Sequence, residues 1–410
     1  LKRVVVTGMG AITPLGNDVG SFFDALSAGR SGVRRLEGPG TERLANRVAA
    51  PVSFDPRPLF DAAKLRMLDR VSQFALAAAA QAVKDGGVNF DESDRVRCGV
   101  CVGTGMGGAQ STDDGYRTLY AEDSDRLKPF TVLMAMNNAP ASWIGLEYGL
   151  AGPNLTYSTA CSSSAVAIGE AARRIAGGEA HLMIAGGAEA CLNFGTLKAW
   201  EALRTLAMED SKDSSASCKP FSKDRSGLVL GEGAAMLVLE ERDSALARGA
   251  RIHAEIAGYG LVTDPTHITR PSVEGQAAAI RAALADARMD AKDIGYVNAH
   301  GTGTQANDGV ETAAIKSVFG KTAYNVPVSS TKSMHGHLLG AAGAVELVAA
   351  IMAMQRGVIP PTRNLAVADP ECDLDYVSSG ARRAPGLAAV LSSSFAFGGT
   401  NAVLIARKDS

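Results

Sequence analysis

The sequence carries no excess of either charge: 41 Lys and Arg stand against 43 Asp and Glu in 410 residues, a formal net of −2. This removes any global attraction to nucleic acid or anionic lipid, so a charged partner has to be met by a local patch. A long apolar run is also missing, since no uninterrupted stretch approaches the ~20 residues that span a bilayer. The opening "LKRVVVTGMG" reads as a buried strand and a turn, without the charged, apolar and small-residue regions of a secretory signal. A cytoplasmic protein is expected, with neither membrane nor nucleic acid as partner. Cysteine is sparse, and six in so long a chain exclude a small disulfide scaffold. Cys98 and Cys101 in "RCGVCVGTG" match Cys-x-x-Cys. On a strand, however, residues three apart face opposite ways, so buried structural thiols are the better reading.

Glycine is abundant, 45 of 410 or about 11% against a usual ~7%, which predicts many tight turns and close backbone approaches. Apolar runs bounded by glycine recur, among them "CGVCVGTG", "HLMIAGGAEA", "IHAEIAGYGLV" and "LAAVLSSSFAFGG". Alanine-rich stretches of helical period lie between several of them, such as "AVAIGEAARRIAGGEA" and "AAGAVELVAAIMAMQRG". Strands alternating with helices give an α/β class with sheets covered on both faces. The best internal division follows "GEGAAMLVLEERDSALARGA", giving halves of 1–250 and 251–410. No repeat is visible by residue identity, so any duplication is one of architecture.

Three junctions carry the chemistry-bearing residues. "NLTYSTACSSSAVAIGEAARRIAGG" passes from a β-like run to a helical period that ends at Gly177-Gly178 and sets Cys161 at the helix start. Unpaired N–H groups and the helix dipole there favour the thiolate, the reactive form. A small buried cysteine filling a gap under a helix is the commoner fate of a lone cysteine. "YVNAHGTGTQANDGVET" puts His300 at a strand end, and "SSTKSMHGHLLGAAGA" puts Lys332, His335 and His337 in a similar junction. Three of the six histidines thus fall where α/β proteins usually bind ligands. His335-x-His337 has no nearby cysteine or carboxylate to complete a ligand set, so no metal is expected. The final "LSSSFAFGGTNAVLIA" reads as two strands around a glycine turn. "GTGMGG" after Gly103 matches a dinucleotide string, but the polar "AQSTDDGYRT" follows where an amphipathic helix is needed, so nucleotide binding is rejected.

Together, "VVVTGMGAITPLGN", "TACSSS", "KPFSKDRSGLVLGEGAAMLVLE", "YVNAHGTGT", "SSTKSMHGHLLGAAGAVE" and "FAFGGTN" resemble the elongating β-ketoacyl-[acyl-carrier-protein] synthases of the thiolase superfamily, over essentially the whole chain. The resemblance implies a thiolase-like α/β fold, two similar halves in a five-layered α-β-α-β-α arrangement, in a homodimer. It implies decarboxylating condensation of malonyl-[acyl-carrier-protein] with a Cys-bound acyl chain. No cofactor is required beyond the phosphopantetheine of the acyl carrier protein, the expected partner.

Carried over by motif, Cys161 is the acyl-accepting nucleophile, and His300 and His337 serve malonyl decarboxylation. Lys332 and Glu311 form a supporting ion pair, and Asp308 orders the loop. Phe397 gates the pocket and, with Cys161, supplies oxyanion-hole N–H groups. Thr269, Thr302 and Thr304 line the phosphopantetheine channel, and Met106 and Phe395 meet the acyl chain. Lys64, Arg66, Arg70 and Arg204 fall on the expected carrier-docking surface, although an ordinary solvated helix face would look the same.

Four positions depart from the common pattern: Gln305 stands for proline, His335 for threonine, Ala396 for glycine, and Arg270 for a small residue. They are similar to specialised ketosynthases of aryl-polyene, nodulation-factor or polyketide pathways. A degradative thiolase would need a second cysteine in a C-terminal Cys-x-Gly, which "FAFGGTN" lacks, and an initiating synthase would carry asparagine at position 337. A non-catalytic chain-length partner typically loses the nucleophile, which is present here as Cys161.

Overall fold

In the computed structural model, which describes residues 1–38, 40–90 and 95–409, the glycine-bounded apolar runs become strands. The first half supplies β1 (Val4–Ile12), β2 (Cys98–Gly103), β3 (Asn154–Tyr157), β4 (Leu182–Glu189) and β5 (Gly233–Glu241). The second half supplies β6 (Ala254–Thr263), β7 (Tyr296–Asn298), β8 (Val328–Ser329), β9 (Ala389–Phe395) and β10 (Thr400–Arg407). Across the sheet they run β8-β7-β9-β10-β6-β1-β5-β4-β2-β3. Counted within its own half, each set has the order third, second, fourth, fifth, first from outer edge to centre. Parallel and antiparallel pairings match as well: β2 is parallel to β3 and β4 as β7 is to β8 and β9, and β5 is antiparallel to β4 and β1 as β10 is to β9 and β6. The duplication is thus one of architecture, as the absence of repeated residues predicts.

Five helices build the other layers. On the first half, α1 (Arg70–Gly86) covers β1 and β5 from outside. Asp69 caps its start by accepting from the Val71 N–H, and Gly87 ends it at φ 57°. On the second half, α3 (Val273–Ala287) covers β6 and β10, with α4 (Asp308–Phe319) beside it. Between the two sheets lie α2 (Ser163–Ala176) and α5 (Ala342–Arg356), packed on each other. A Cβ on Gly343 would come within 2.8 Å of the Ala165 Cβ, so glycine is what lets these two helices approach. The layers are α-β-α-β-α as expected, with one addition. β1 and β6 pair through Val5 with Glu255 and Val6 with Ala254, so the two sheets join into one that folds around the central helices.

The span Leu339–Arg356 has mean hydropathy 1.3, long and apolar enough by composition to cross a membrane, yet 89% of it is buried inside the protein. Its apolarity is that of a helix between two sheets. One expectation fails locally. The polar stretch after Gly108 does form a helix, Ala109–Tyr120, of which only Ala109 and Ser111 are buried. Most of its residues are exposed or half-buried, so it forms without a continuous apolar face.

Candidate active site

The turn that carries Cys161 is made by its hydroxyl neighbours. After β3, Ala160 takes φ +50°, a left-handed conformation that costs a residue with a Cβ about 1–2 kcal/mol. The Ser163 hydroxyl donates to the Ala160 carbonyl at 2.6 Å and accepts from the Thr159 N–H at 2.9 Å, while the Ser162 hydroxyl donates to the Thr159 carbonyl at 2.9 Å. One 3-10 turn, Ala160–Ser162, then leads into α2. Cys161, only 6% exposed, lies at the base of a cavity of about 220 Å³ whose wall also includes His300, His337, Phe395 and Phe397. His267, Ile268 and Arg270, all exposed, stand at its mouth.

The other half brings both histidines to the sulfur, and the first half helps to hold one of them. His300 follows β7, and its backbone N–H donates to Glu311 at 2.7 Å. His337 is pinned through its backbone, its N–H donating to the Val229 carbonyl at 2.6 Å and its carbonyl accepting from Gly231 at 2.9 Å. Its Nε2 lies 3.1 Å from Cys161 Sγ, and the two imidazoles meet edge to face with centroids 5.3 Å apart at 86°.

The hydrogen bonds also fix which nitrogen carries the proton. His337 Nδ1 accepts from the Leu339 N–H at 3.2 Å, so the ring proton sits on Nε2, toward the sulfur. His300 Nδ1 lies 3.4 Å from the Lys332 ammonium, which can only donate, so its ring proton is likewise on Nε2. Burial first, then the Lys332 charge, holds both rings well below the usual histidine range. Both are therefore neutral N–H donors aimed into one pocket.

Lys332 is fully buried, and its ion-pair partner is Glu346 on α5, not Glu311. Glu311, also fully buried, accepts instead from the N–H groups of His300 and Gly301 and from the Asn307 amide, and burial pushes it up to about 7. It anchors the backbone of the histidine, while Glu346 balances the lysine. Asp308 accepts from the Phe221 and Gly303 N–H groups and so ties down the loop before α4. The thiol departs from expectation too. Burial pushes Cys161 up to about 11, against the lowering influence of Lys332 and the Phe397 N–H that donates to it. In the resting site, loss of water outweighs the helix start.

Most other predicted residues reach the cavity: Thr269, Thr302, Thr304 and Phe395 line it, and the Thr302 and Thr304 hydroxyls lie 2.9 Å apart. Met106 does not. It is 43% exposed and absent from the cavity wall, because its backbone is held to Glu189 with the side chain turned outward. Two of the proposed docking cations are engaged, Lys64 with Glu147 and Arg70 with Glu232, whereas Arg66 and Arg204 are exposed. Of the four departures, Ala396 and Arg270 line the cavity, whereas His335 and Gln305 do not. His335 is buried against Phe22, with its ring bonded to Gly336 and Thr331, so it does not share a ligand position with His337. Gln305 donates to the Arg225 carbonyl at 2.6 Å.

Sequence reading missed three groups. Glu346 is a carboxylate in an otherwise apolar helix, and that isolation was a usable signal. Trp200 lines the cavity and stacks on Phe397, with centroids 6.0 Å apart at 24°. Glu189, at the end of β4, is fully buried. A fourth point is a combination: one donor atom from each of Cys161, His300 and His337 lies within 4.8 Å of the others, a spacing able to hold a metal ion. The Lys332 ammonium acts on all three groups, and both ring Nδ1 atoms already accept hydrogen bonds. The set fits hydrogen-bond donation to an anion better than capture of a cation.

The chain is 46% identical to nodulation protein E of Rhizobium meliloti (strain 1021), with 98% of each chain covered. It is 42% identical to 3-oxoacyl-[acyl-carrier-protein] synthase 2 of Synechocystis sp. (strain ATCC 27184 / PCC 6803 / Kazusa), covering 99% of this chain and 98% of that one. A solved structure of a type II PKS acyl-carrier protein in complex with its ketosynthase superposes with a TM-score of 0.92 at 33% identity, covering 100% of both chains. The family descriptions "Beta-ketoacyl synthase, N-terminal domain" and "Beta-ketoacyl synthase, C-terminal domain" match residues 1–245 and 253–366. A buried cysteine facing two neutral imidazoles, on a doubled five-strand architecture, therefore sits in a chain that belongs to the β-ketoacyl synthase family of acyltransferases.

Proposed function

We propose that the chain forms 3-oxoacyl-[acyl-carrier-protein] by decarboxylating condensation, with Cys161 as nucleophile and His300 and His337 as paired donors. The observation that carries this reading is the convergence of two Nε2–H groups on the pocket of one buried sulfur. In the first half-reaction the Cys161 sulfur takes the acyl group from the carrier thioester, and the thiol proton ends on the departing carrier thiol. In the second, a malonyl thioester loses carbon dioxide, and the electron pair of the broken carbon–carbon bond becomes an enolate whose oxygen accepts from both imidazoles. The enolate carbon attacks the acyl thioester. Its developing oxyanion has the Cys161 and Phe397 N–H groups beside it, the latter already directed at the sulfur. Collapse of the adduct returns the Cys161 thiolate, which takes one proton from water to restore the thiol.

Fatty acid elongation is the pathway proposed first. A second reading, a specialised aryl-polyene, nodulation-factor or polyketide ketosynthase, is supported by the likeness to nodulation protein E and by Ala396 beside the gating Phe397. Mass spectrometry of products from malonyl-carrier and a graded series of acyl-carriers tests both. A 3-oxo product two carbons longer than the donor supports condensation, and its chain-length profile separates the pathways. Absence of any extended product rejects condensation.

A homodimer fits the outer surface of the first half. Met106, Tyr116, Tyr120, Phe130, Val132 and Leu133 are all exposed there, and β3 is one of the two edge strands of the sheet. The acyl carrier protein is the proposed partner, met by Arg66 and by Arg204, whose neighbours Leu203 and Thr205 line the cavity. Exposed pairs contribute about 0.2–1 kcal/mol each. Reversing both charges is therefore expected to raise KM for carrier-bound substrate roughly two- to thirty-fold. Small thioesters should be unaffected, and an equal effect on both substrates would argue against docking.

A further inference from the structure

Glu189 is fully buried at this site, and neither catalysis nor an ion pair accounts for it. Among the described residues no cation lies within ion-pair distance of it, yet four donors converge on its two oxygens. Oε2 accepts from the Gly105 N–H at 2.7 Å and the Gly340 N–H at 2.9 Å, and Oε1 from the Met106 N–H at 3.0 Å and the Thr104 hydroxyl at 3.3 Å. The first, third and fourth of these donors belong to the loop after β2, and Gly340 belongs to the turn after His337. The two backbones touch here: a Cβ on Gly340 would lie 2.3 Å from the Gly105 nitrogen.

That turn is strained and functional at once. Leu339 has φ +44° without being glycine, and its N–H is the donor that accounts for the proton on His337 Nε2. The next N–H along the chain, Gly340, is the one held by Glu189. Two consecutive amides thus point to two different acceptors, one setting the histidine tautomer and the other holding the turn that makes this possible.

We infer that Glu189 is a positioning residue for decarboxylation: its carboxylate clamps the Leu339–Gly340 turn to the loop after β2 and so keeps His337 Nε2–H directed into the pocket. The inference rests on the condensing activity proposed above. The turn that presents Cys161 has its own bonds from the hydroxyls of Ser162 and Ser163, and Glu189 acts on the sulfur only through its charge, the least of the influences that raise the thiol. The two half-reactions should therefore separate. Glutamine in place of Glu189 presents an N–H₂ group to one pair of donors, leaving that pair unmatched.

In Glu189→Gln, malonyl decarboxylation by the acylated enzyme is expected to fall by about 10- to 100-fold, as for a small misplacement of a reacting group. Acyl transfer onto Cys161 should stay within roughly threefold of wild type, against that larger loss. Glu189→Asp, which keeps both oxygens, recovers part of the loss. Thr104→Val, which removes one donor to Glu189 and the acceptor of the Gly107 N–H in the same loop, gives the same split in smaller measure and covers the case in which Glu189→Gln does not fold. Nitrogen NMR of histidine-labelled protein reads the clamp without any turnover. The wild type gives His337 as a single Nε2–H tautomer, and Glu189→Gln or Thr104→Val adds the other tautomer. Equal losses in both half-reactions, or an unchanged tautomer in the variants, would overturn the inference. A wild type with the single tautomer and no extended product would instead count against the proposed reaction while upholding the clamp.

Discussion

His300→Ala and His337→Ala are each expected to lose condensation while Cys161 remains open to alkylation. Each substitution removes one of the two Nε2–H donors in the pocket, and loss of one preorganised donor to a developing oxyanion typically costs about 2.7–4 kcal/mol, or ~10²–10³ in rate. Neither imidazole carries a charge that the fold must balance, since burial keeps both neutral. The sulfur also keeps the turn that presents it, because the hydroxyls holding that turn are on Ser162 and Ser163, bonded to the backbone of Thr159 and Ala160. Steady-state extension and iodoacetamide labelling, measured on the same preparations, check the expectation. A variant that extends acyl chains at the wild-type rate would remove that histidine from the mechanism.

Lys332→Met is expected to damage stability and activity together. Lys332 and Glu346 are each fully buried, the lysine bonds Glu346 Oε1, and Oε2 has no hydrogen-bond partner among the described residues. Removing one partner of a buried pair costs about 3–5 kcal/mol, because the other is left as an uncompensated charge. Burial already pushes Glu346 up to about 7 although Lys332 lowers it, so without the lysine it rises further. A carboxyl raised in the folded state binds its proton there more tightly than in the unfolded chain, so folding weakens as pH rises. The variant should regain melting temperature relative to wild type as pH falls from about 8 toward 5.5. Adding Glu346→Leu should recover stability at neutral pH without recovering turnover, since His300 Nδ1 still lacks its donor. A double variant with wild-type turnover would reduce Lys332 to a structural role.

Much of this was legible in the sequence because each reactive side chain sits in its own short junction. Cys161, His300 and His337 each follow a strand or turn by a few residues, so their local setting is written beside them. The equivalence of the two halves was legible through the family resemblance and not through repeated residues, since it lies in strand order and not in residue identity. The partner of Lys332 was not legible. Glu311 and Glu346 are both buried carboxylates near the histidines, and the choice between them depends on how α4 and α5 pack. Met106 was misplaced because its main chain is drawn to Glu189 while its side chain points away. The state of Cys161 was misjudged for a related reason: a helix start is visible in sequence, but the depth of burial that outweighs it is not.

The most direct test of the shared pocket is to incubate the wild type and Cys161→Ala with an acyl-carrier donor, digest both, and locate the added acyl mass by peptide mass spectrometry. The acyl group should appear on the Cys161 peptide of the wild type alone, and malonyl-carrier should discharge it as the extended 3-oxo product. Acylation at another of the six cysteines, or extension by Cys161→Ala, would contradict this assignment.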